Sequence, residues 1–230
     1  MPSLFPTTRR SVVQALGSED AGERTRAFDT LVAIYWKPLY KHARLNMRRS
    51  AEDAEDVTQA FFTRMYERES LSNFDAHKAA FRTYLRVLFD RYAANESKAA
   101  LRIKRGGGSS TLDFEEAEAE LASVTATASP DDLFYREWVR GVFTLAISRL
   151  RESVSEEQFA IFNAYDLSDD SSISYREVAA QFGVRETIVT NHLSAVRRKF
   201  RQALLETLRD ATASDEEFRA EARALLGFER

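Results

Sequence analysis

Six residues late in the chain carry the most legible chemistry: Thr187, Thr190 and Asn191, then Arg197, Arg198 and Lys199. Hydroxyls and a carboxamide can exchange hydrogen bonds with base edges, and Asn can meet an adenine edge with two bonds at once. Cations further along the same segment seek phosphates. The run that holds them, residues 174–200, reads SYREVAAQFGVRETIVTNHLSAVRRKF. Ser174 and Glu177 make a capping box, so a helix should begin there. Val178, Ala179 and Phe182 give it one apolar side. Gly183 can take the left-handed conformation that stops a helix, and Val184 is the buried turn residue. A second helix follows, with Ile188, Val189, Leu193, Val196, Phe200 and Leu204 at three- and four-residue steps. That leaves Glu186, Thr187, Thr190, Asn191 and Ser194 outward, ahead of the three cations. Such a helix-turn-helix can dock its second helix in a major groove. An ordinary helical hairpin with a charged end shares the pattern.

A second group of charges lies upstream. Residues 50–68 read SAEDAEDVTQAFFTRMYER. Ser50 is the expected cap, with Asp53 at the third helical position. Ala54, Val57, Phe61 and Met65 form an inward stripe. Asp53, Asp56 and Gln59 share another face, beside Glu52 and Glu55. The acids complement the helix dipole, and they read either as a solvated helix start or as a docking face for a basic partner. Thr58, between the acids and Gln59, is a candidate acceptor for a regulatory kinase.

Catalytic chemistry finds no comparable arrangement. His42, His77 and His192 are scattered, without metal-ligand spacing. KRGGGSS lacks the order of a phosphate loop, and DLSDDSS lacks the spaced acids, Gly and terminal Glu of a calcium loop. No catalytic, metal or cofactor site is expected.

The elements that position these groups are helical throughout. The chain shows no useful strand alternation and no hairpin dipeptide, so the expected fold class is all-α. Residues 9–105 should form a helical domain of four or five helices, with Pro38 kinking or breaking one of them. Residues 106–130 contain five acids and no Lys or Arg, between Gly/Ser-rich and Ala/Thr-rich ends, and read as an acidic linker with a short helix near 112–121. Ser129-Pro130-Asp131-Asp132 should start the next helix, with Pro first. Residues 131–210 form the second domain, with another helix starting at Ser155. An amphipathic extension over 211–230 uses Phe218, Ala222 and Leu225. The 230 residues, 44% of them hydrophobic, can build real cores. The absence of cysteine, of a signal-peptide core and of a long apolar run fits a cytoplasmic protein. A net charge of −3 suits DNA binding only if the basic residues are segregated.

Taken in order, the segments resemble an RNA polymerase sigma factor of the extracytoplasmic-function family, over most of the chain. Asp53-Ala54-Glu55-Asp56 with Gln59 and Phe61-Phe62 is similar to region 2.2, which grips the polymerase clamp helices. The resemblance therefore implies polymerase contacts at Asp53, Glu55, Asp56, Gln59 and Phe62. Residues 81–108, FRTYLRVLFDRYAANESKAALRIKRGGG, resemble regions 2.3 and 2.4. There Arg82, Tyr84 and Arg91 become candidates for unpaired promoter bases and backbone, and Lys98, Arg102, Lys104 and Arg105 for phosphates. Residues 174–200 resemble region 4.2, which gives Glu186, Thr187, Thr190, Asn191, Arg197, Arg198 and Lys199 as its DNA-contacting set. The implied partners are core RNA polymerase and promoter DNA, with an anti-sigma factor or a regulatory kinase as further candidates. Tyr84 stands where the family usually has Trp, and Asp90-Arg91 where many relatives have Arg-Asn. Thr190, Asn191 and His192 replace a common Lys, Ser and Arg, and Ala195 replaces another Arg. A different promoter sequence, or weaker free DNA binding, follows. The alternative is a helix-turn-helix regulator that does not act as a sigma factor.

Overall fold

The computed structural model describes residues 12–68, 74, 79–104, 130–168 and 172–227. Among them every regular element is a helix: α1 (Val12–Ala15), α2 (Ala21–Leu45), α3 (Ala51–Arg68), α4 (Phe81–Lys104), α5 (Pro130–Ser153), α6 (Glu156–Asp166), α7 (Tyr175–Phe182), α8 (Glu186–Asp210) and α9 (Asp215–Leu226). The short helix expected near 112–121 falls outside the described residues. None of the described helices is long and apolar enough to cross a membrane.

Local chemistry starts and stops these helices where short-range rules say it should. The backbone N–H of Asp53 donates to Ser50 Oγ at 3.1 Å. Complete capping boxes open α6, between Ser155 and Gln158, and α7, between Ser174 and Glu177. Pro130 is the first residue of α5, where its missing N–H costs nothing. Ser214 caps α9, and Gly227 ends it at φ +61°.

Two compact units result, Met1–Val142 with Leu208–Arg230, and Phe143–Thr207. Their boundaries fall inside α5 and α8. In the first unit, α2 packs against α1 and α3, and α3 against α4. Leu31, Ile34, Tyr35 and Leu39 of α2 are buried with Ala54, Val57 and Phe61 of α3, Phe81, Leu85 and Phe89 of α4, and Trp138 of α5. Phe218 and Ala222 of α9 are buried in the same unit, and Tyr35 donates its hydroxyl to the Ala211 carbonyl at 2.9 Å.

Pro38 neither breaks nor ends α2, which runs through it for 25 residues. A proline cannot donate to the carbonyl four residues back, here that of Ile34. At that carbonyl the backbone of Gly141 approaches, so closely that a Cβ on Gly141 would lie 2.7 Å from Ile34 O. The proline bares a carbonyl and the glycine lets α5 reach it.

The second unit is built round Leu150, Ile161, Phe162, Val178, Ala179, Val189, Leu193 and Val196, with Phe182, Val184 and Phe200 packed on its edge. Its joints come from α6, α7 and α8, and they aim the polar start of α8 outward.

Candidate nucleic-acid interface

Gly183 sits at φ +65°, ψ +28°, in the left-handed region. Its N–H donates to Ala180 O, and Val184 N–H to Ala179 O at 3.0 Å. These paired bonds close α7 in a Schellman turn. Val184 then seats half-buried on the core and α8 starts. Val189, Leu193 and Val196 point inward from α8, while Glu186, Thr187, Thr190, Asn191 and Ser194 are exposed, as the spacing predicts. The Thr190 hydroxyl donates to Glu186 O at 3.1 Å, so its methyl and an oxygen lone pair remain for a ligand. His192 is half-buried, with Nδ1 3.3 Å from Gln158 Nε2.

The three cations that follow are not equivalent. Arg197 forks onto Asp166, with Nη2 2.8 Å from Oδ1 and Nε 3.0 Å from Oδ2. It also lies 5.6 Å over the Tyr165 ring and 3.4 Å from the Tyr175 hydroxyl. The Asp166 hydrogen bonds hold its pKa above the ordinary arginine value. Lys199 Nζ donates to Ser153 O at 2.6 Å, satisfying a carbonyl at the end of α5. Arg198 is exposed and has no ion pair among the described residues. Arg197 and Lys199 therefore tie helices together, and Arg198 is the cation most open to a phosphate. Arg201, exposed three residues on, extends that face. Its position on the same face follows from the helical period.

On α3, Asp53, Glu55, Asp56 and Gln59 are exposed over a buried stripe of Ala54, Val57, Phe61 and Met65. Phe62 is a correction: it is 4% exposed, edge-on to Phe28 of α2 at 6.2 Å, and belongs to the core rather than the outward face. Thr58 is a second correction. It is fully buried, and its hydroxyl donates to Ala54 O at 2.7 Å, so a kinase cannot reach it in this fold.

The α4 candidates separate as well. Arg91 is exposed, and Tyr84 is half-buried with its ring 5.0 Å from that of Phe74. Arg82 is drawn inward, ion-paired to Glu221 of α9 and set over the rings of Tyr135, at 4.8 Å, and Trp138, at 5.4 Å. Asp90 accepts from Arg86 at 3.1 Å and lies 2.7 Å from Nε2 of the buried His42. Lys98, Arg102 and Lys104 lie along α4, but their side chains, and all of Arg105, fall outside the described residues. A groove between α3 and α4 adds Arg64 and Tyr92 to Arg91, with Phe61 at its floor. Arg64 stands 6.0 Å from the Tyr92 ring. Nothing local in the sequence joins residues 64 and 91; only the α3–α4 packing does.

Over residues 9–206 the chain matches the model of a protein family described as ECF sigma factor. No curated protein matches it.

Proposed function

Because the chain belongs to the ECF sigma factor family, and so serves transcription initiation, we propose that its two helical units divide promoter work. ECF sigma factors bind core RNA polymerase and promoter DNA, often under an anti-sigma factor; the family is a class of transcription regulators, not of enzymes. The exposed acids Asp53, Glu55 and Asp56, with Gln59, dock on a basic face of core polymerase. Their support is the buried stripe beneath them, which fixes the outward direction of that row. Arg91, Tyr84 and the basic end of α4 engage the melted strand: aromatic rings stack on unpaired bases and cations hold the backbone.

In the second unit, Thr187, Thr190 and Asn191 read base edges in the major groove. Arg198 holds phosphate, and Arg197 and Lys199 keep α8 in position. The observation that carries this reading is the Schellman turn at Gly183, which sets α8 with its polar start exposed and its apolar stripe buried. Run-off transcription with core RNA polymerase and genomic promoter fragments tests it. Specific transcripts that require this chain are the expected result. DNA binding without core-polymerase capture and without transcripts would instead make it a regulator that works alone.

A further inference from the structure

The family match ends at residue 206, yet the fold continues into a docked element. Residues 208–227 bury Leu208, Ala211, Thr212, Phe218, Glu221 and Ala222 in the first unit. Two acids one helical turn apart on α9 grip two consecutive residues at the start of α4. Glu217 Oε1 accepts the Phe81 N–H at 2.8 Å, and its other oxygen accepts the Ala213 N–H at 2.9 Å. Glu221 takes the Arg82 guanidinium through one oxygen and the Tyr135 hydroxyl, at 3.2 Å, through the other. Arg82 is left 23% exposed and Glu221 8%.

We propose that residues 208–227 form an autoinhibitory clasp that withholds Arg82 from DNA in the free protein. The inference rests on the functional reading of α4 above. A carboxylate and a phosphate are alternative acceptors for one guanidinium fork. Glu221 holds Nη1 of Arg82 and keeps the guanidinium over the Tyr135 and Trp138 rings, so release of Glu221 frees the full fork for a DNA backbone. Glu217, Phe218 and Glu221 share one face of α9, so the helix withdraws as a unit. The contact is also poorly suited to permanence. It places two acids at i and i+4, a repulsive spacing, in a partly buried setting where an apolar pair would hold at lower cost.

The test uses the full chain. Glu221→Gln and the double variant Glu217→Gln/Glu221→Gln are compared with wild type for binding to a labelled mixed-sequence single-stranded oligonucleotide. Arg82→Ala/Glu221→Gln is the control. If the open form is about one tenth of the free protein, releasing it tightens binding about tenfold, and the control loses the gain. Amide hydrogen exchange of the wild type is followed alone and with core polymerase and a promoter fragment; protection at Phe81 and across α9 falls on assembly. Equal affinities with undiminished protection overturn the clasp and leave a structural buttress. Should the Gln variants fail to fold, the wild-type exchange decides, since it needs no substitution. Wild-type run-off transcription separates the two failures. Transcripts with unchanged protection sink the clasp alone, and absence of transcripts sinks the reading beneath it.

Discussion

Arg197 directs its guanidinium to Asp166, while Arg198, one residue on, keeps its cation in solvent. The difference makes their substitutions separable. Arg197→Ala removes a partly exposed pair and a ring contact, and lowers unfolding stability by about 0.5–1 kcal/mol. Arg198→Ala stays within about 0.5 kcal/mol of wild type but removes one phosphate contact, so the slope of log affinity against log salt shrinks by about 0.9. Asn191→Ala leaves that slope alone and costs about 1–3 kcal/mol on the preferred promoter only. Urea denaturation and salt titrations on two promoter sequences measure all three, and identical profiles for Arg198→Ala and Asn191→Ala would refute the division of roles. A fourth residue tests packing rather than function. Gly141→Ala drives a methyl against Ile34 O, and overpacking of this kind costs about 1–3 kcal/mol. A variant as stable as wild type would mean that α5 yields there without penalty.

Helix ends were legible because caps act across three residues. Ser50, Ser155, Ser174, Gly183 and the α5 start at Pro130 all follow from neighbours in sequence. Faces were only half legible. The stripe Ala54, Val57, Phe61 and Met65 is buried as read, but α3 touches both α2 and α4, so it buries a second stripe through Thr58 and Phe62. One period cannot reveal two partners. That α2 runs unbroken through Pro38 is hidden for a similar reason, since the group that meets the bared carbonyl lies on a helix about a hundred residues away in sequence. The inward turn of Arg82 depends on Glu221, 139 residues distant, and no local pattern encodes it. At this scale the polymerase contact is tested by Asp53→Lys/Asp56→Lys, whose apolar stripes are untouched. Helicity by circular dichroism stays, and capture of core polymerase is lost; unchanged capture would move the docking face elsewhere. The docking of α9 carries a pH signature. Burial raises the Glu217 carboxyl above its ordinary 4.5. As pH rises through 4.5 an undocked Glu217 loses its proton first while the docked one keeps it, so docking is favoured below that value and weakens as pH climbs through the raised one. Glu217→Gln flattens this part of the stability profile. The check is the difference between variant and wild-type unfolding curves across pH 4 to about 7, and parallel profiles would remove the signature.

Charge sets the behaviour of the whole molecule. A formal net charge of −3 repels DNA at long range, yet the second unit presents Arg198 and Arg201 on an exposed helix face. Binding by the free chain therefore depends on local cations outweighing acids elsewhere. The largest removable block of acids is Asp113, Glu115, Glu116, Glu118 and Glu120, in a stretch from 106 to 130 with no Lys or Arg to offset it. Changing all five to Asn or Gln turns the net charge positive without touching any contact described in either unit. Long-range repulsion is screened over about 10 Å at 0.1 M salt and about 3 Å at 1 M. The neutralised chain should thus bind nonspecific duplex more tightly than wild type at low salt, and the two should converge as salt rises. Titration of both proteins against the same duplex at several salt concentrations tests this. A gain that persists at high salt would indicate direct pairing between these acids and a DNA-binding face. No gain at low salt would mean that the acids lie too far from either face for their field to matter.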